Sequence, residues 1–143
     1  MRMEKDCGVW IAVLSHKIRK RMNAEMQSLG ITAAQSHVMH YILVKCAEGP
    51  VFQRDVEKAF SLSRSAATGI LQLMEKRGLI LRQSVARDAR LKSLIPTEKA
   101  ACLDEQIGRC IRQTEEILTE GLSDAQRTLF LETAALMSEN LDG

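Results

Sequence analysis

The sequence predicts a mainly α-helical protein with one small β-hairpin, and three observations support this fold class. Helix-favouring residues such as Leu, Ala, Met, Glu, Lys and Arg are abundant, and only two prolines occur in 143 residues. Apolar residues recur at three- and four-residue steps along most of the chain. Two short strand-like segments, LILRQS and LKSLIP, flank the pentapeptide VARDA. We therefore expect one domain, residues 1–143, with VARDA at the tip of a hairpin.

Residues that favour helix ends set the predicted helix boundaries. Helices are expected at about residues 7–29, 33–46, 53–60, 97–119 and 124–140, and another between Ser63 and Gly78. The predicted N-caps, whose hydroxyls can accept from free backbone N–H groups, are Thr32, Ser63, Thr97 and Ser123. The predicted helix-ending glycines are Gly30, Gly78 and Gly121.

The charge is distributed unevenly along the chain. The formal net charge is +2 at pH 7. Residues 53–92 carry nine lysines and arginines against four acidic residues, whereas residues 93–143 carry four against ten. A basic middle followed by an acidic end indicates a polyanionic partner for the middle segment, and nucleic acid is the first candidate.

The segment SLSRSAATGILQLMEKRGLI has the pattern of a DNA-reading helix. Ala67, Ile70, Leu71 and Met74 form its apolar stripe. The other face is small and polar, with Gly69 among the candidate DNA-reading residues Arg64, Ser65, Thr68 and Gln72. A helix in the major groove needs such a face, because bulk would hold it away from the base edges. The preceding short helix and the turn KAFSLS complete a helix-turn-helix pattern. An ordinary solvated helix face is the alternative.

The predicted hairpin concentrates positive charge next to this helix. Arg87, Arg90 and Lys92 would reach phosphates or the minor groove beside the reading helix. The order of elements is that of a winged helix-turn-helix. A hairpin whose charges are merely solvated is the alternative interpretation.

Three segments carry a family resemblance: LGITAAQSHVMHYI, LSRSAATGILQLMEKRGLI and RDARLKSLIPTEKA. The last contains a D-x-R pair, Asp88 and Arg90, followed by a Thr-Glu-Lys helix start. In these features the chain resembles the MarR family of bacterial winged helix-turn-helix transcriptional regulators. The resemblance implies a homodimer that binds double-stranded DNA at a pseudopalindromic operator. It assigns dimerisation to residues 1–32 and 97–143 and DNA binding to residues 33–96.

The resemblance also assigns roles within the hairpin. It implies that Asp88 orients Arg90 and that Arg90 enters the minor groove. The chain departs from the family pattern at Gly69, where many relatives carry a long side chain, and at Pro96 and Ala100. These departures suggest that the operator and the effector differ from those of relatives.

The C-terminal third fits dimerisation on its own composition. The last predicted helix presents apolar residues that a lone chain would leave exposed: Leu129, Phe130, Ala134, Leu136, Met137 and Leu141. Pairing two such chain ends around a twofold axis would cover them.

Regulation by a small molecule or by thiol oxidation is a further expectation. Trp10, Met39 and Tyr41 are candidates for an effector pocket, although residues at such spacing are more often core. Cys7 lies near a helix start, where a thiolate is favoured, and is a candidate redox residue with Cys102 or Cys110 of another subunit as its partner.

Other functional classes find little support in the sequence. His37 and His40 have no further histidine, and no carboxylate at helical spacing, to complete a metal site. We expect no cofactor and no enzymatic activity, because no catalytic constellation occurs at usable spacing. The longest apolar run near the N-terminus, VWIAVL, is too short for a signal peptide or membrane span, so we expect a cytoplasmic protein.

The sequence therefore predicts a homodimeric, sequence-specific DNA-binding regulator that acts as a repressor. The alternative is a protein-interaction module of the same fold, which heterodimerises with another regulator and selects no operator. Gly69 favours this alternative, and the retained charges of the hairpin oppose it.

Overall fold

A computed structural model describes residues 5–86 and 88–143 of the chain. In chain order the elements are α1 (Cys7–Ser28), α2 (Ala33–Lys45), α3 (Gln53–Phe60), α4 (Arg64–Lys76), β1 (Ile80–Val85), β2 (Asp88–Pro96), α5 (Glu98–Leu118) and α6 (Asp124–Asp142). The predicted mainly α fold with one hairpin is confirmed.

The helix boundaries follow from side-chain caps. The hydroxyl of Thr32 accepts from the backbone N–H of Gln35 at 3.1 Å, and the Gln35 side chain accepts in return from the Thr32 N–H at 3.3 Å. Ser63, Thr97 and Ser123 each cap the next helix in the same way, by accepting from the N–H three residues on. Gly30 and Gly78 adopt a φ of +75°, which glycine tolerates best, directly after α1 and α4. The predicted caps and stops are confirmed.

The core centres on α2, which packs between the hairpin, α4 and α5. Val38, Met39 and Ile42 of α2 are almost fully buried. They share one cluster with buried residues of the neighbouring elements: Leu71, Met74, Leu79, Ile80, Leu94, Ala100 and Ile107. Because α2, the hairpin and the start of α5 share this core, the orientation of the hairpin is tied to that of the long helix α5.

The hairpin is antiparallel, and its base is buried while its tip is exposed. Its register runs from Ile80 opposite Pro96 to Ser84 opposite Lys92. The next pair is Val85 opposite Asp88, so residues 89–91 bulge out of the ladder. The predicted second strand, residues 91–96, was therefore too short, and the VARDA tip too wide. Arg87, a predicted DNA contact, lies outside the described residues.

The outermost helix, α6, buries none of its residues within the chain. Its leucines Leu129, Leu131 and Leu141 are 64%, 64% and 89% exposed. An apolar groove of about 620 Å³ runs between α1, α5 and α6 and includes Ile11, Leu118 and Phe130 in its walls.

In residues 5–86 and 88–143, no helix is both long enough and apolar enough to cross a membrane.

Candidate nucleic-acid interface

Helix α4 separates its residues as the sequence predicts. Ala67, Leu71 and Met74 are buried and anchor the helix on the core. The opposite face presents the four predicted DNA-reading residues: Arg64, Ser65 and Gln72 are exposed, and Thr68 is half-buried. A Cβ added at Gly69 would meet no atom within 4 Å, so packing does not require glycine there. The side chains on this face are therefore mostly small, and another surface can approach the helix closely there.

The hairpin and α4 border one cleft of about 530 Å³, which we call the basic cleft. Its lining residues are Gln53, Arg54, Glu57, Arg64, Thr68, Arg82, Arg90, Leu91 and Lys92. Five of these are cations and one is a carboxylate. Arg64 and Thr68 from the predicted reading helix thus meet Arg90 and Lys92 from the predicted wing. Converging cations of this kind attract a polyanion.

The Arg90 side chain extends into solvent from the bulge in β2. The Asp88 carboxylate oxygen Oδ1 accepts from the Arg90 backbone N–H at 2.9 Å and lies 3.4 Å from the guanidinium Nε. The Arg90 side chain nevertheless remains 93% exposed. Asp88 thus holds the base of the side chain and leaves its terminal nitrogens available to a partner.

Five lining residues of the basic cleft are not among the predicted DNA contacts, and three of the five, Gln53, Arg54 and Arg82, make defined contacts. The Arg54 guanidinium lies over the Phe52 ring, 5.5 Å from its centroid. Arg82 Nε lies 3.7 Å from Glu75 Oε2, so β1 is linked to the end of α4. Gln53 Nε2 donates to the Thr68 hydroxyl at 2.8 Å. The positive charge of Arg54 and Arg82 was counted with the basic segment, but its position depends on tertiary packing.

The three predicted effector-pocket residues do not lie together. Met39 is fully buried in the core, whereas Trp10 on α1 is 49% exposed. Tyr41 borders a cleft of about 670 Å³ between α2 and α5. Its ring meets Phe60 edge-on with centroids 5.5 Å apart. Within the single chain Met39 belongs to the core, which a single-sequence pattern does not separate from a pocket wall. The pocket role of the three residues stays a prediction.

The α2–α5 cleft combines apolar walls with a polar pair. His40 Nδ1 of α2 lies 3.1 Å from Asp104 Oδ1 and 3.2 Å from Oδ2 of α5. No carboxylate lies at helical spacing from His40 in the sequence, and Asp104 is instead supplied by another helix. Within the described part of the chain, no three His, Cys, Asp or Glu side chains are arranged to hold a metal ion. His37 is exposed.

The cysteines differ in environment. Cys7 and Cys102 are exposed, and Cys46 and Cys110 are partly buried. Burial raises the pKa of the Cys110 thiol, and the negative charge of Glu25 raises it further. The thiol donates to Glu25 Oε2 at 3.6 Å. Its thiolate is therefore disfavoured.

We expect iodoacetamide to alkylate Cys110 several-fold more slowly than the exposed Cys102 near neutral pH, because the thiolate is the nucleophile. Peptide mass spectrometry after timed labelling measures both rates. Glu25→Gln should accelerate labelling at Cys110 and leave Cys102 unchanged. The difference should narrow as the pH rises, since Cys110 then ionises as well. Equal rates at both cysteines near neutral pH would contradict the assignment.

Comparison with known proteins gives a consistent result. Residues 29–91 match the model of the MarR family. The chain is similar in structure to Staphylococcus aureus MepR, a transcription regulator of the multidrug efflux pump MepA, with a TM-score of 0.84, 20% identity, and coverage of 95% of this chain and 98% of that one. A MepR–DNA complex matches with a TM-score of 0.76 and 22% identity, over 91% of this chain and 96% of that one. MepR bound to ethidium bromide matches with a TM-score of 0.73 and 22% identity, over 96% of this chain and 98% of that one. The MarR resemblance and the winged helix fold are confirmed.

Proposed function

We propose that this chain, with its MarR-type winged helix fold, is a sequence-specific, double-stranded DNA-binding transcriptional regulator that acts as a homodimer. The observation that carries the proposal is the basic cleft, in which the polar face of α4 and the cations of the hairpin meet. The solved complex of MepR with DNA supports the same use of this fold. Since its partner is chromosomal DNA, we place the protein in the bacterial cytoplasm.

In the proposed complex α4 enters the major groove. Arg64, Ser65, Thr68 and Gln72 then face base edges, with which their guanidinium, hydroxyl and amide groups can form hydrogen bonds. The hairpin lies over the adjacent backbone, where Lys92 contacts phosphate and Arg90 enters the minor groove. Asp88 sets the direction of Arg90. Phosphate contacts supply most of the affinity, and α4 supplies the sequence preference.

The surface that the chain leaves uncovered supports the proposed homodimer. The leucines of α6 are exposed, and Phe130 and Leu131 of the same helix also line the apolar groove between α1, α5 and α6. An apolar area of this kind is typical of a protein interface. A second copy related by a twofold axis covers both surfaces at once, through residues 1–32 and 97–143. The two reading helices then contact the half-sites of a pseudopalindrome.

We further propose that the dimer represses transcription by occupying its operator and that an effector releases it. The α2–α5 cleft is suited to a small, largely apolar molecule, because its walls include Tyr41, Phe60 and Ile111. It lies between the winged region and α5, so an occupant can change their relative position. MepR, of the same fold, binds ethidium bromide. Oxidation of the exposed Cys7 is the second candidate signal.

Selection of bound DNA from a random duplex pool tests the proposal. We expect a pseudopalindromic site whose half-sites are about one helical turn apart. The association constant for the selected site should fall steeply as salt is raised. Failure to enrich any sequence, with the protein folded, would contradict sequence-specific binding.

A protein-interaction module of the same fold remains the second candidate, and Gly69 is the observation that favours it. The open space around Gly69 is where a long DNA-contacting side chain would fit. This candidate predicts no selected sequence and a stable heterodimer with another winged helix regulator. The same selection experiment therefore distinguishes the two functions.

A further inference from the structure

A hydrogen bond connects the two helices of the helix-turn-helix at the wall of the basic cleft. Gln53 is the first residue of α3, and its side-chain nitrogen Nε2 lies 2.8 Å from the Thr68 hydroxyl and 3.4 Å from the Arg64 carbonyl oxygen on α4. Both Gln53 and Thr68 are half-buried and line the cleft. The Gln53 amide of α3 thus contacts a residue of the reading face on the neighbouring helix α4.

The Arg64 carbonyl oxygen determines which group donates and which accepts in the contact between Gln53 and Thr68. A backbone carbonyl can only accept a hydrogen bond, so the side-chain group that faces Arg64 must be the amide NH₂ and not the amide oxygen. An amide nitrogen donates and does not accept. The Thr68 hydroxyl oxygen is therefore the acceptor of the 2.8 Å bond.

We infer that Gln53 is a specificity-determining residue, which turns the Thr68 hydroxyl hydrogen towards the DNA so that Thr68 selects a hydrogen-bond acceptor on the facing base. The inference rests on the proposed DNA-binding function. One lone pair of the hydroxyl is occupied by Gln53, and the hydroxyl hydrogen must point away from the amide hydrogens. A hydroxyl that accepts one bond also donates more strongly, because the bonds polarise each other.

The bases differ in the acceptors that they present in the major groove, so a donating Thr68 hydroxyl prefers some bases over others. Guanine presents N7 and O6 as acceptors, adenine presents N7, and thymine presents O4. Cytosine presents only the N4 amino donor. A donating Thr68 therefore disfavours cytosine at the base it faces. The position of this base is identified as the one whose preference disappears in Thr68→Val, which keeps the shape of the side chain and removes the hydroxyl.

A double-mutant cycle of Gln53→Leu and Thr68→Val tests the inference. Wild-type and variant dimers are titrated by fluorescence anisotropy against the selected operator and against operators changed at the identified position. We expect Gln53→Leu to reduce the discrimination against cytosine roughly fivefold, as expected for one hydrogen bond. In the Thr68→Val background, Gln53→Leu should have no further effect at this position. Thr68→Ser, which keeps the hydroxyl, should retain most of the discrimination.

Reversing the polarity gives an independent measurement. In Gln53→Glu the side chain can only accept, so the Thr68 hydroxyl donates to it and turns a lone pair towards the DNA. The preference for an acceptor base should then be lost. Affinity for all sequences also falls, because a carboxylate is added to the basic cleft.

The outcomes separate this inference from the proposed function. Gln106→Leu on α5 is the matched control, since Gln106 is exposed and does not line the basic cleft; it should leave discrimination unchanged. If both Gln53 variants bind DNA with the wild-type base preference, the inference is wrong and the proposed function stands. If the wild-type protein selects no DNA, the proposed function fails, and this inference with it.

Discussion

Placing glutamate at both Leu129 and Leu136 of α6 is expected to convert the proposed dimer to a monomer and to abolish operator binding. The two side chains are 64% and 58% exposed in the single chain, so the change removes little packing within it. In a dimer, four carboxylates would enter an apolar contact. Each buried leucine contributes about 1.5–3 kcal/mol, so the dimer dissociation constant should rise by at least about 100-fold.

Light scattering after size exclusion measures this effect directly. The chain has a mass of 16.0 kDa, and we expect twice that mass for the wild-type protein. Thr128→Glu is the matched control, because it places the same charge on the exposed polar face of the same helix, beside Glu132 and Glu139. Circular dichroism shows whether the variant chain stays helical. A wild-type monomer at micromolar concentration, or a double variant that remains dimeric, would contradict the proposed interface.

The helices could be predicted from the sequence because their signals are local. The cap hydroxyls and the helix-ending glycines act within one turn of the positions they define. The short helix α3, predicted at 53–60, has those bounds in the structure. Each apolar stripe also identifies its buried face without reference to the rest of the chain, as Ala67, Leu71 and Met74 do for α4.

The hairpin was predicted less well than the helices. Its tip depends on the pairing of Val85 with Asp88, and aspartate is a residue type that strands disfavour. Aspartate is rare in strands, so Asp88 was assigned to the turn. In the structure it pairs with Val85 and accepts the Arg90 N–H, which extends β2 by three residues. Such a side-chain acceptor stabilises the bulge, and the bulge in turn exposes Arg90.

The candidate site was predicted only in the parts that lie on one element. The reading face of α4 and the hairpin cations have recognisable sequence patterns. Gln53 and Arg82 have none, since their positions in the basic cleft are set by the packing of α3 and β1 against α4. The contact between His40 and Asp104 joins residues 64 positions apart. Contacts of this kind require the fold, which a single sequence specifies only indirectly.

Removing the wing cation is the second change with a large expected effect. Arg90→Ala should weaken operator binding about ten- to hundredfold in the dimer, which carries two wings. The slope of log K against log salt should fall by about one for each wing. Anisotropy titrations over a salt series measure both quantities. Arg109→Ala is the control, because it removes the same charge from an exposed arginine of α5 that does not line the basic cleft. Arg109 Nη2 lies 3.9 Å from Glu105 Oε1. This variant should change neither the affinity nor the salt slope.

Asp88→Ala distinguishes a positioning role from a simple charge effect, because the two predict opposite changes in DNA affinity. If Asp88 acted only through its negative charge, its removal would strengthen binding to the DNA polyanion. If it holds the backbone and Nε of Arg90, as the 2.9 Å and 3.4 Å contacts indicate, its removal weakens binding. We expect a loss of about three- to tenfold, as for one or two charge-assisted hydrogen bonds. The loss should vanish in the Arg90→Ala background, since Asp88 then has no guanidinium to position. An Asp88→Ala variant that binds more tightly than the wild type would reject this role for Asp88 while leaving Arg90 as the wing contact.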